Sequence, residues 1–173
     1  MGDLPPVTNV LNATRRPGIN ILVDADACPG TIRDIVCRAG MKRGIAVLFV
    51  ANQPVNLPAS PWLSSFQVPQ GFDQADDEIV RRAQTNDLVI TADIPLASEV
   101  LAKGAHALTP RGERYTEANI KQRLQMRDFM ETMRATGERT GGPPPLSQTD
   151  RKAFADQLDR LLTRYHTKLP GSD

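Results

Sequence analysis

The chain is short of the residues that build disulfide frameworks and zinc sites: its 173 residues include two cysteines and two histidines. Cys28 and Cys37 fall in or beside one expected helix, so reduced thiols in a cytoplasm are expected rather than a stapled secreted fold. His106 and His166 have no ligand spacing, which leaves zinc without its usual nitrogen and sulfur donors. Long apolar runs are also missing. None approaches the roughly 20 residues that cross a bilayer, and residues 1–18, rich in Pro, Asn and Arg, lack the apolar core of a signal peptide, so no membrane partner is expected. Charge of one sign is absent too: 21 basic and 20 acidic residues leave a formal charge of +1, so any polyanion site must be local. Aromatic residues make up 5%, and Trp62, Phe66 and Phe72 are too few for a base-stacking platform.

What is present is an ordinary globular balance, 40% apolar and 24% charged, suited to one domain with a real core. Ile19 to Val23 form a short, β-branched run that ends at Asp24, as a buried strand ending at a functional edge would. Pro29 suits a first helical turn, and Ile32, Ile35, Val36 and Ala39 follow at helical spacing until Gly44. Residues 45–50 read as a second strand, followed by a loop through Pro54, Pro58 and Pro61. A helix from Asp73, a strand over residues 87–91 that stops before Asp93, a helix opened by Pro95, a strand over 105–108 and a long helix over about 116–134 complete the pattern. This alternation predicts an α/β fold, a three-layer α/β/α sandwich around a mainly parallel sheet.

The expected division is a mobile segment at 1–18, an α/β domain over 19–140, a Gly/Pro linker at 141–146, an amphipathic helix over 147–167 and a tail at 168–173. Ser147 with Asp150 has the spacing of a capping box. Phe154, Leu158, Leu161, Leu162 and Tyr165 form a stripe that must bury itself on its own domain or on another subunit. The oligomeric state is left open.

Ligands of open parallel sheets sit beyond the carboxyl ends of the strands. Asp24 and Asp93 each lie at such an end, where a charge is costly without a purpose. If their strands are neighbours, about 5 Å apart, both can reach one ion, and their hard oxygens suit Mg²⁺ or Mn²⁺. Helical phase adds a third. Ile79, Val80 and Ala83 define the stripe facing the sheet, and one turn back lies Asp76, while Asp77 falls on the more exposed side. Asp26 and Asp77 are candidate ligands or holders of the ion's waters, with an Asx turn or helix cap as their plainer roles. Arg111, in Pro110-Arg111-Gly112 directly after a strand, is the best single phosphate candidate. Cys28 is read as a small residue at a helix start, not as a nucleophile.

Val23-Asp24-Ala25-Asp26-Ala27-Cys28-Pro29, Gly71-Phe72-Asp73-Gln74-Ala75-Asp76-Asp77 and Thr91-Ala92-Asp93-Ile94-Pro95 resemble motifs of the YaiI/YqxD family of bacterial proteins, and shorter matches extend the resemblance over about residues 19–162. That family is related by fold to PIN-type nuclease domains, in which strand-end acidic residues bind Mg²⁺ or Mn²⁺. The resemblance implies a PIN-like fold, with Asp24, Asp76 and Asp93 as metal ligands and catalytic residues. The Asp-Ala-Asp-Ala-Cys-Pro loop departs from the usual PIN pattern. The leading expectation is a metal-dependent phosphodiesterase or nuclease acting on RNA or another phosphate-containing ligand. The alternatives are a non-catalytic protein that binds RNA, a nucleotide or a partner through the acidic pocket, and a small-molecule phosphatase with Asp24 as nucleophile.

Overall fold

A computed structural model describes residue 16 and residues 18–137 and 144–166. The expected mobile start apart from residues 16 and 18, the first half of the linker and the tail therefore lie outside the described residues. The chain runs β1 (Ile21–Asp24), a short 3₁₀ turn (Ala25–Ala27), α1 (Gly30–Arg43), β2 (Val47–Ala51), β3 (Leu63–Gln67), α2 (Gln74–Arg82) and β4 (Leu88–Ile90). It continues through α3 (Ile94–Ala102), β5 (His106–Leu108), β6 (Arg114–Tyr115), α4 (Glu117–Ala135) and α5 (Gln148–Tyr165). The strands form one sheet in the order β3-β2-β1-β4-β5-β6, parallel throughout except for β6, which runs antiparallel to β5. The mainly parallel three-layer architecture is as expected.

Period-two alternation along the strands sorts the core into two halves. Ile21, Val23, Val47 and Phe49 face the layer of α1 and α5, where Ile32, Val36, Phe154 and Leu158 meet them. Leu22, Leu48, Val50 and Val89 face the opposite layer and pack on Ile79 of α2, Leu96 and Val100 of α3, and Ile120 of α4. By the same parity Asp24 projects to the side of α2 and α3.

Local signals explain the helix ends. α1 stops at Gly44, whose φ of 68° is the left-handed cap that glycine adopts without a Cβ penalty. Asp93 caps α3, and Thr116 and Ser147 open α4 and α5 with reciprocal capping boxes. The stripe on α5 settles on its own chain: Phe154, Leu158, Leu161 and Leu162 are buried in the same core as α1.

Two strands went unforeseen. β3 reads Leu-Ser-Ser-Phe-Gln, half polar because it is an edge strand whose residues are largely part-exposed, so it lacks the apolar run of its neighbours. β6 spans only two residues, too few for any periodic signature. The loop expected after β2 carries Pro54, Pro58 and Pro61 as read and leads into the β3 edge.

Candidate functional site

In the order β3-β2-β1-β4-β5 the direction of winding reverses between β1 and β4, which opens a crevice at their carboxyl ends. Ile21, Leu22 and Val23 stand beside Leu88, Val89 and Ile90, so Asp24 and Thr91 leave adjacent strands on the same side. The Thr91 hydroxyl donates to Oδ2 of Asp24 at 2.9 Å and accepts from the backbone N–H of Asp93 at 3.0 Å. One buried hydroxyl thus joins the two strand ends. Asp93 in turn accepts from the Leu96 amide through Oδ1 at 2.8 Å, so its plain role as a helix cap is real and occupies one of its two oxygens.

Asp24 is buried at 8% exposure. Burial pushes its carboxyl above the ordinary carboxylate value, the Thr91 hydrogen bond works against that rise, and the charges of Asp93 and Asp26 add to it. Asp76, in the first turn of α2, is half-buried as its helical phase predicts, while Asp77 beside it is exposed. The Asp76 carboxyl is pushed up to about 7, first by burial, then by the charges of Asp93, Asp24 and Asp73, and by a hydrogen bond with Asp93. Asp24, Asp76 and Asp93 therefore share one electrostatic neighbourhood, and no basic side chain contributes to the shift of either Asp24 or Asp76.

The donor set fits a hard divalent cation by chemistry, since it is all carboxylate oxygen with uncompensated negative charge. It is not a finished coordination shell. Among the described residues, no group of three His, Cys, Asp or Glu side chains is disposed to hold a metal ion as the side chains stand. Asp76 is instead hydrogen-bonded to Asp93, a contact that helps raise the Asp76 pKa.

The remaining expected residues spread outward. Asp26 is exposed, and its Oδ2 accepts from the Asn52 amide at 2.8 Å, tying the loop after β1 to the end of β2. Cys28 is buried, with its thiol directed to the Pro29 carbonyl and pushed up to about 12 by burial, which suits an inert packing residue.

A model of the uncharacterized YaiI/YqxD family matches residues 22–164. The chain belongs to that family. Relatives named as UPF0178 proteins include one from Thioalkalivibrio sulfidiphilus, 62% identical over 146 residues that cover 84% of this chain and 99% of the relative. One from Shewanella amazonensis is 61% identical over 146 residues, 84% of this chain and 98% of the relative. One from Proteus mirabilis is 59% identical over 148 residues, 86% and 98% respectively. Among solved structures, a mutant of Rae1 (YacP) from Bacillus subtilis is similar at 19% identity and a TM-score of 0.36, over 83% of this chain and 98% of that one.

In this YaiI/YqxD chain, Arg111 is engaged elsewhere. It follows β5, where its guanidinium donates to Asp150 of α5 at 2.7 Å and to the Pro144 carbonyl, so it anchors the start of α5. Thr91 is the residue that the motif reading passed over, and its signal was there: a hydroxyl two residues before a strand-end aspartate. Tyr115, buried on β6, lies close enough for the Asp93 charge to contribute to its raised pKa, a proximity that only the sheet order reveals. Phe72 is 92% exposed between Gly71 and Asp73, and Asp73 is held at a φ of 63°, a strained conformation that Asp tolerates better than most residues.

Proposed function

We propose that this protein is a divalent-metal-dependent phosphodiesterase acting on RNA, with Asp24, Asp76 and Asp93 holding Mg²⁺ or Mn²⁺ at the β1/β4 crevice. The observation that carries this reading is the meeting of Asp24, Asp76 and Asp93 at a topological switch point, where Thr91 joins the two strand ends and no basic side chain contributes to the raised pKa of Asp24 or Asp76. The PIN-like resemblance of the same three positions supports it.

When bound, the cation supplies Lewis-acid polarisation of the phosphoryl oxygens and neutralises charge that grows on them. The chain's own groups prepare that site. Thr91 orients Asp24 through Oδ2, and the Leu96 amide holds Oδ1 of Asp93, which leaves one oxygen of each carboxylate for the ion. Asp76, whose proton leaves near pH 7, must give that proton up as the ion arrives, so metal binding tightens as pH rises. Asp26 and Asp77, both exposed, are assigned to waters around the ion. Phe72, projecting into solvent one residue from Asp73, offers an aromatic face to one base; stacking of this kind is worth about 1–3 kcal/mol.

The phosphatase reading has less support, because a buried Asp24 with a raised pKa and one oxygen bound to Thr91 is a poor nucleophile. Purified protein incubated with a labelled RNA pool and Mn²⁺ is expected to cleave it, and Asp24→Asn and Asp93→Asn are each expected to abolish that cleavage. Mn²⁺-dependent RNA binding without turnover would convert the reading to the non-catalytic one. Cleavage that persists in the double variant would remove the site altogether.

A further inference from the structure

We infer that a groove between α1 and α5 binds the phosphate backbone of the single-stranded RNA whose cleavage is proposed above; the inference rests on that reading for its ligand, though not for its geometry. Two adjoining hollows, about 350 and 410 Å³, share Ile35 and Arg38 and run along the seam of the two helices. Their floor is apolar, made by Ile35, Ala39, Leu158 and Leu162, and their rim is basic. Five basic side chains border the hollows against two acidic ones, a marked local excess in a chain whose formal charge is only +1.

Two of the five cations are occupied within the fold. Arg43 bridges to Asp159 and Thr163 and so staples α1 to α5, while Lys152 pairs with Asp156 one turn away at 3.0 Å. Arg38, Lys42 and Arg151 have no carboxylate partner among the described residues. Arg38 only leans on the Asp34 carbonyl, and both Arg38 and Lys42 are exposed. Three unpaired cations along one seam complement a polyanion.

The groove also opens where the carboxylates are. In a parallel α/β unit the helix after a strand starts at the strand's carboxyl edge, and the loop that carries Asp24 and Asp26 leads directly into α1. α5 starts at that edge too, because Asp150 in its first turn is tied to Arg111 in the turn after β5. Thr31 and Gln148 thus flank the mouth, and the N-terminus of α1 there has no side-chain cap, which leaves amides facing the mouth. A strand with one phosphate at Asp24, Asp76 and Asp93 would cross the sheet edge and descend past Arg38 and Arg151 to Lys42. Arg38, Lys42 and Arg151 border one continuous seam, which suits the single backbone of one strand better than the two backbones of a duplex.

The test uses the full chain in EDTA, so that binding is read without turnover, with a fluorescein-labelled oligouridylate of about 16 nucleotides as probe. Arg38→Gln/Lys42→Gln/Arg151→Gln is expected to weaken binding at least about tenfold at low salt. It is also expected to reduce the slope of log K against log salt by about 2, near 0.7 for each lost phosphate contact. Lys121→Gln/Arg160→Gln, away from the groove, is expected to bind as the parent does. With Mn²⁺, the triple variant is expected to keep its kcat on a dinucleotide, which does not reach the groove, and to raise KM on the long probe. Unchanged affinity and salt slope in a folded triple variant would overturn the inference. So would equal binding of duplex RNA or of polyglutamate. Groove-dependent binding without any cleavage would sustain the groove and defeat the nuclease reading; Mn²⁺-dependent cleavage with a silent groove would do the reverse.

Discussion

Replacing Asp76 with Asn probes the carboxylate cluster without needing a substrate. In the metal-free protein the Asp76 carboxyl is raised from 3.8 to about 7 by burial and by three neighbouring aspartates. Between those values the folded chain holds a proton that the unfolded chain has already released, so stability is fully present below the unfolded value and falls as pH rises toward 7. A shift of about three units has a ceiling near 4 kcal/mol. Asp76 is only half-buried, and solvent screening brings the expected effect down to about 1–2 kcal/mol. Asp76→Asn removes the ionisation altogether. Urea denaturation in EDTA is expected to show the variant more stable than the parent by about 1–2 kcal/mol at pH 8 and nearly equal to it at pH 4. Mn²⁺ at about 100 times its Kd should then add about 2.7 kcal/mol to the parent and far less to the variant. A variant no more stable than the parent at pH 8, or equally stabilised at both pH values, would refute the reasoning.

Other substitutions test separate parts of the account. Thr91→Val removes the hydroxyl that donates to the buried Asp24 carboxylate, and a loss of about 1–3 kcal/mol is expected by denaturation together with lower Mn²⁺ affinity by calorimetry. Phe72→Ala touches no packed neighbour at 92% exposure, so melting should be unchanged while KM for RNA rises and kcat holds. Gly112→Ala should destabilise by at least about 2 kcal/mol, because φ is 86° and the new Cβ would meet the Ala153 carbonyl carbon at 2.6 Å; hydrogen exchange should show α5 loosened first.

Much of this architecture was legible because its signals are local. Strands β1 and β4 are short, apolar and stopped by polar residues, and α1, α3 and α5 are marked by Gly44, Pro95 and the Ser147 capping box. Asp76 was separable from Asp77 because helical phase depends only on the stripe of Ile79, Val80 and Ala83. What escaped depends on distant partners. β3 could not announce itself, since an edge strand does not need a continuous apolar run. The engagement of Arg111 with Asp150 joins residues 39 positions apart, so a residue that looks available for phosphate in sequence is held by a helix start that sequence places far away. The α1–α5 groove is likewise invisible before the chain folds, because its cations lie on two helices far apart in sequence that meet only along the seam. The hydrogen bond between Asp76 and Asp93 also needed the sheet order, which brings β4 beside β1 and not beside β3.

The central claim is that Asp24, Asp76 and Asp93 hold one divalent cation, and crystals soaked in Mn²⁺ at pH 8 test it most directly. An anomalous peak is expected at the β1/β4 crevice with oxygens of all three carboxylates at about 2.0–2.2 Å, after the hydrogen bond between Asp76 and Asp93 has opened. A crevice without that peak at saturating Mn²⁺, with Asp76 and Asp93 still bonded to one another, would contradict it.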